Sequence, residues 1–118
     1  MYRLPWPTGI NVNAQYIHTR HNTRLSAEAR AWRDNAILLV RANRQPVPEG
    51  PLRVYLLAHP PDNRRRDLDN LLKPVLDSLA LALDFDDSRI THIEAEMGEP
   101  SKVWPRIEIT LSGGKQTC

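Results

Sequence analysis

Leu52-Arg53-Val54-Tyr55-Leu56-Leu57-Ala58 is followed, after a proline-rich break, by Asp69-Asn70-Leu71-Leu72-Lys73-Pro74-Val75-Leu76-Asp77-Ser78-Leu79-Ala80-Leu81-Ala82-Leu83. The first segment alternates, and the period of two predicts a strand with Val54 and Leu56 facing inward. The second places Leu72, Val75, Leu76, Leu79 and Leu83 at helical spacing, which predicts a helix over 69–83 with those residues as its buried stripe. His59-Pro60-Pro61-Asp62-Asn63 ends the strand. Pro74 has no N–H to give the carbonyl of Asn70, so the first helical turn should be irregular.

On the C-terminal side, Ile90–Met97 puts Ile93, Ala95 and Met97 on one face, and residues 103–111 do the same with Ile107, Ile109 and Leu111. With Gly98-Glu99-Pro100-Ser101 between them, these two strands read as a hairpin. On the N-terminal side, residues 26–44 read as a helix capped by Ser26, with Glu28 complementing its dipole. Ala29, Trp32, Ala36, Leu39 and Val40 form its apolar face, which makes Trp32 a core residue, and Arg30, Arg33, Arg41 and Arg44 read as the opposite face. Residues 45–51 hold three prolines and a glycine and form a turn. Residues 2–7 are extended because Pro5 and Pro7 restrict their neighbours. Residues 9–24 read as a long loop. The order β-α-β-α-β-β predicts an α+β, two-layer sandwich, with two helices on a mixed sheet of about four strands. One domain over residues 1–112 is expected, with 113–118 as a flexible tail.

The chain has 118 residues, 41% apolar and 25% charged, which suits one small folded domain. No apolar run exceeds five residues, far short of the roughly 20 that span a bilayer. The opening MYRLPWPTG lacks a secretory pattern, and Cys118 is the only cysteine, which excludes an internal disulfide and a thiolate-rich zinc site. A cytoplasmic location is expected. The net charge of +2 hides a division: residues 1–66 carry +7 and residues 67–118 carry −5. Thirteen of the sixteen basic residues are arginine, whose planar fork binds phosphate oxygens two at a time. A chain that attracts phosphate with one half and gathers carboxylates in the other points to metal-assisted chemistry on phosphate.

The acidic residues centre on Arg64-Arg65-Arg66-Asp67-Leu68-Asp69-Asn70-Leu71-Leu72-Lys73. In an extended backbone Asp67 and Asp69 point the same way, with Leu68 turned to the core. Lys73 and Asp77 follow Asp69 at one-turn intervals and share its face. Leu83-Asp84-Phe85-Asp86-Asp87 supplies further carboxylates. A helix of about 14 residues is roughly 21 Å long, so these acids reach the first pair only if the chain doubles back. Two or three carboxylates suit Mg²⁺, and a nearby ammonium suits the charge that develops on a phosphoryl group in flight. An Asp-x-Asp at a helix start also serves as a plain cap with arginine partners. His18 and His21 in the predicted loop offer too few ligands for zinc, His59 reads as structural, and His92 lies on a sheet face. No glycine-rich phosphate loop, GxSxG elbow or HExxH helix is present.

These residues resemble the RusA-type Holliday-junction resolvases, the crossover junction endodeoxyribonucleases of bacteria and prophages. The resemblance covers nearly the whole chain. It rests on Leu4-Pro5-Trp6-Pro7, Asn13…Tyr16, Arg20-His21, Ser26-Ala27-Glu28 and, most specifically, Arg65-Arg66-Asp67-Leu68-Asp69-Asn70-Leu71-x-Lys73 with Asp86-Asp87. It implies that Asp67, Asp69 and Asp87 are catalytic metal-binding carboxylates and that Lys73 is the essential lysine. Asp86 ranks after Asp87 as the downstream ligand, and Asp84 and Pro74 are points where family members differ. The resemblance also implies Mg²⁺, with Mn²⁺ as a substitute, a homodimer, and four-way junction DNA nicked symmetrically on two strands. DNA-binding candidates are Arg64, Arg65, Arg66, Arg20, Arg24, Arg30 and Arg33. No organic cofactor and no membrane partner are expected, and the setting is bacterial or phage-encoded. The alternatives are a catalytically decayed junction-binding protein and a less selective branched-DNA nuclease.

Overall fold

Alternation along residues 52–59 produces the strand the pattern asks for: Leu52, Val54, Leu56 and Ala58 are buried, and Arg53 and Tyr55 are exposed. The computed structural model describes residues 1–7, 16–18, 23–25, 27–64 and 66–113. Its elements are β1 (Tyr2–Pro5), β2 (Tyr16–His18), β3 (Thr23–Leu25), α1 (Ala27–Ala42), β4 (Leu52–His59), α2 (Asp69–Leu83), a 3-10 turn (Asp87–Arg89), β5 (Ile90–Met97) and β6 (Arg106–Gly113). Two helices lie on a four-stranded mixed sheet ordered β1-β6-β4-β5, an α+β arrangement. No described helix is long and apolar enough to cross a membrane.

The expected hairpin is absent. β5 pairs parallel with β4, in register Val54 with Ile93 and Leu56 with Ala95, while β6 inserts antiparallel between β4 and β1. Burial explains the order. Ile107 and Ile109 of β6 are fully buried and need neighbours on both sides, whereas β5 carries His92, Glu94 and Glu96 on one face and is an edge strand. The β4–α2–β5 unit is the familiar parallel crossover. The chain returns from β5 to β6 across the end of β4, anchored by Gly98 N–H to Ala58 O at 2.7 Å and Ser101 N–H to Pro60 O at 2.7 Å. Glycine suits this close approach, because a Cβ at Gly98 would stand 2.9 Å from the His59 ring, which would have to shift.

β1 completes the sheet with Tyr2 and Leu4 buried, as its prolines suggested. The segment read as a long loop contains a short antiparallel pair, Tyr16 with Leu25 and His18 with Thr23. Ser26 as a cap, His21 and residues 114–118 of the expected tail lie outside the described residues, while Ser112 and Gly113 belong to β6.

α1 buries Ala29, Trp32, Ala36 and Val40, and Trp32 Nε1 donates to Pro5 O at 2.9 Å. Its arginines do not form an opposite face. Arg33 is four residues past buried Ala29, so helical periodicity sets it beside the buried stripe, and Arg44 lies beyond the end of the helix. Arg41 donates to Ala82 O at 3.2 Å and Leu81 O at 3.3 Å, and Arg44 donates to Leu83 O at 3.4 Å. α2 has no basic residue in its own last turn, and these guanidinium groups satisfy its terminal carbonyls and its dipole. The two helices therefore end side by side.

In α2 the buried line runs through Leu71, Val75, Ser78, Leu79, Ala82 and Leu83, with Leu72 and Leu76 only half-buried. Its first turn is tight, with Asn70 N–H to Asp67 O and Leu71 N–H to Leu68 O bonds three residues apart, in keeping with Pro74. Buried Ser78 Oγ donates to Pro74 O at 2.7 Å. The helix ends at Asp84 in the left-handed region (φ 57°, ψ 44°), with Phe85 N–H returning to Ala80 O. Asp84→Gly removes the Cβ strain and forfeits only an exposed 3.9 Å contact with Arg44. A net gain of about 0.5 kcal/mol is expected after the added unfolded-state entropy, read as a rise of about 2 °C in Tm.

Candidate active site

The segment from His59 to α2 is held by one aspartate. The Asp62 carboxylate accepts from Arg64 N–H at 2.9 Å and pairs with Arg66 at 2.8 Å, and Arg66 also donates to Asp62 O and Arg64 O. The Arg64 N–H bond, aided by Arg66, keeps Asp62 below the usual carboxylate range. The Arg66 guanidinium lies 5.5 Å over the Trp6 ring, and Trp6 N–H donates to Pro105 O at 3.3 Å. Arg66 thus spends much of its hydrogen-bonding capacity within the fold and fixes the approach to Asp67. Arg64 is different: its side chain is 85% exposed and 3.8 Å from Asp62, presented to solvent beside the acids. Arg65, Arg20 and the Arg24 side chain lie outside the described residues. Arg30 is exposed, and Arg33 is half-buried with its Nε out of contact with water.

Asp67 and Asp69 are both exposed at the start of α2, with Leu68 half-buried against the core. The extended backbone expected between them is not what forms: Leu68 is already helical (φ −61°, ψ −36°). The helix-start signal outweighs strand-like alternation here, so the two carboxylates emerge from a turn. Lys73 Nζ lies 3.1 Å from Asp77 Oδ2 one turn on, which places Asp69, Lys73 and Asp77 on one face as their spacing required.

The downstream acids stand at the other end. α2 has 15 residues and is about 22 Å long, and Asp86 and Asp87 follow its C-terminus. The sheet gives the same answer. Ile90, just after the 3-10 turn, sits beside Leu52 at the start of β4, whereas the path to Asp67 leaves from His59 at the far end. Asp86 caps the 3-10 turn, accepting from Ser88 N–H at 2.9 Å, and that bond holds its carboxyl below the ordinary range. Asp87 is exposed on the same turn, and Arg89 fastens the turn to the carbonyls of Gly50 and Pro48. Carboxylate oxygens are the donor type a hard divalent cation takes. Among the described residues, however, no three His, Cys, Asp or Glu side chains gather into a metal site within one chain.

A second polar cluster escaped sequence reasoning. On the sheet face away from the helices, Glu108 accepts from Arg106 at 2.9 Å and Arg3 at 3.4 Å and lies 3.8 Å from His59. The Arg106 bond leads in lowering the Glu108 pKa. Arg106 and Arg3 flank Trp104, which is 51% exposed. The β1–β6–β4 register creates this cluster, and without that register no local pattern announces it. His59 Nδ1 bonds Glu99 O at 2.8 Å and holds the β5–β6 crossing, a structural role as its sequence setting suggested.

Fold and site together define a class: a small α+β domain that presents an Asp-x-Asp pair, a lysine and an arginine at one end of a sheet. The chain belongs to the endodeoxyribonuclease RusA family, whose model matches residues 5–112. It is 34% identical over 111 residues to the crossover junction endodeoxyribonucleases RusA of Enterobacteria phage 82, Shigella sonnei strain Ss046 and Escherichia coli strain K12. In each case the alignment covers 92% of this chain and 90% of the relative.

Proposed function

We propose that this protein is a Mg²⁺-dependent, structure-selective endonuclease that resolves four-way DNA junctions by paired symmetric nicks, acting as a homodimer. The observation that carries the reading is the exposed Asp67, Asp69 and Lys73 group beside Arg64, in a chain aligned nearly end to end with crossover junction endodeoxyribonucleases. The 22 Å length of α2 adds a condition: Asp87 joins Asp67 and Asp69 only if it comes from a second copy. Asp86 is occupied as a cap, which favours Asp87 as the downstream donor.

In this reading each site takes Asp67, Asp69 and Lys73 from one protomer and Asp87 from its partner. These carboxylates would hold the cation. When bound, it supplies Lewis-acid polarisation of a phosphoryl oxygen and lowers the pKa of the attacking water. Arg64 holds a neighbouring phosphate, a contact that is independent of sequence and weakened by salt. Lys73, oriented by Asp77, faces the negative charge that grows on the phosphoryl oxygens as the P–O ester bond breaks. Two sites related by a two-fold axis match the two-fold symmetry of a four-way junction, so opposed strands are cut in one encounter.

Cleavage of a mobile four-way junction, a fork and a linear duplex, each with and without Mg²⁺, tests the reading. The expected result is Mg²⁺-dependent nicking of opposed junction strands, with the fork and duplex cut at least about tenfold more slowly. Equal cutting of the fork would favour a less selective nuclease, and binding without cutting would favour a decayed one.

A further inference from the structure

Trp104 stands on the crossing between β5 and β6, and we infer that with Arg3 and Arg106 it forms a second DNA contact, where the indole stacks on a base that a branched structure leaves open. The Trp104 ring is 51% exposed and the neighbouring Val103 is 97% exposed, whereas Trp6 and Trp32 are buried. Adjacent exposed apolar side chains of this size mark a binding surface. The segment that carries them is held at several points. Trp104 N–H donates to Ser101 Oγ at 3.1 Å, Arg106 donates to Trp104 O at 3.1 Å, and Ser101 N–H reaches Pro60 O at 2.7 Å. The ring is thus presented outward by an ordered support, which lowers the entropy lost when a ligand settles on it.

Charge and position select DNA as the occupant. The Arg106 and Arg3 guanidinium groups lie 4.5 and 5.8 Å from the ring centroid, and Lys102 is exposed beside them. Against these three cations stand Glu99, which is exposed, and Glu108, which is 15% exposed and already accepts from both arginines. The Arg3 side chain is 50% exposed, and the bond to Glu108 engages only one of the donors a guanidinium can turn toward a phosphate. On the same sheet face the far side is acidic: Glu94 and Glu96 lie on β5, beyond β4. A polyanion crossing this face is therefore directed to the β1–β6 side. That side also leads to the acids. Arg106 is in register with Pro5 and with His59, at the sheet end from which the chain leaves for Asp67. Trp6 N–H meets Pro105 O at 3.3 Å, and the Arg66 guanidinium lies over the Trp6 ring, so contacts run without a break from Trp104 to the residue before Asp67. A strand with one phosphate at the acids can pass the indole with its next nucleotides. In a linear duplex each base face is covered by its neighbours, whereas stacking is interrupted where strands exchange, and an aromatic ring accepts any base opened there.

The inference deepens the junction reading and takes its DNA partner from it, but it is tested by binding rather than by cleavage. Wild type, Trp104→Ala, Trp104→Phe and Arg3→Gln are titrated in Ca²⁺ against a labelled four-way junction and a linear duplex of the same length, with circular dichroism verifying each fold. Trp104→Ala should weaken junction binding about tenfold and duplex binding less than about twofold, and Trp104→Phe, which keeps a ring, should retain most of the affinity. Arg3→Gln should weaken both DNAs alike, by about threefold, and lower the salt slope by about one. Because Trp6 and Trp32 are buried, the junction should quench mainly the Trp104 emission, and the quench should vanish in Trp104→Ala. A Trp104→Ala protein that binds both DNAs as wild type does, with the quench unchanged, would overturn the contact. Equal losses on junction and duplex would overturn the stacking role and leave the ring as a support for its arginines. Junction binding that depends on Trp104 in a protein that never cuts would sustain this inference and remove the nuclease reading.

Discussion

Asp69→Asn is expected to lower the rate of junction cleavage by about a thousandfold, roughly 4 kcal/mol in the barrier, while junction affinity changes by less than about threefold. The amide keeps the size of the carboxylate and removes the charge that a divalent cation needs. Asp69 is the exposed first residue of α2, so the fold loses only a favourable dipole contact, about 0.5 kcal/mol. Binding should survive because, on the proposed reading, arginines hold the phosphates, and one carboxylate fewer near DNA favours association slightly. Single-turnover cleavage and a gel-shift titration in Ca²⁺ separate the two effects. Cleavage near the wild-type rate in Mg²⁺ would remove Asp69 from the site.

Lys73→Ala is expected to lower kcat by about a hundredfold with KM changed less than threefold, because an ammonium aimed at developing charge acts mainly in the transition state. The alanine suits a helix interior, and the lost Lys73–Asp77 contact is exposed and worth little to stability. Lys73→Arg keeps the charge and should recover part of the rate. A rise in KM at unchanged kcat would instead make Lys73 a phosphate-positioning residue.

Both predictions draw on residues that the sequence already placed well. α2 runs from Asp69 to Leu83 and β5 from Ile90 to Met97, the bounds their periodicities predict. Local signals of this kind are strong because burial is one-sided. Strand pairing is not local. Ile93-x-Ala95-x-Met97 and Ile107-x-Ile109-x-Leu111 look alike in sequence, and only full burial of the second pattern reveals which strand is central. The roles of Arg41 and Arg44 are hidden from the sequence for a related reason. A wheel shows that they avoid the apolar centre, but not that a neighbouring helix ends beside them with unsatisfied carbonyls. Within the site, the face shared by Asp69, Lys73 and Asp77 follows from spacing alone. The separation of Asp67 and Asp69 from Asp87 follows from helix length, and the sequence also carried that arithmetic. Which molecule closes the gap lies beyond one chain's pattern.

The same separation gives the central claim its most direct measurement. Asp69→Asn and Asp87→Asn subunits, co-expressed with different tags and purified through both, yield dimers in which the two substitutions fall together in one composite site and the other site is intact. Such mixed dimers should nick one junction strand at about half the wild-type rate per dimer, while each variant alone is inactive. Mixed dimers as inactive as the parent variants would mean that each chain needs its own Asp69 and its own Asp87, and the composite site would be contradicted.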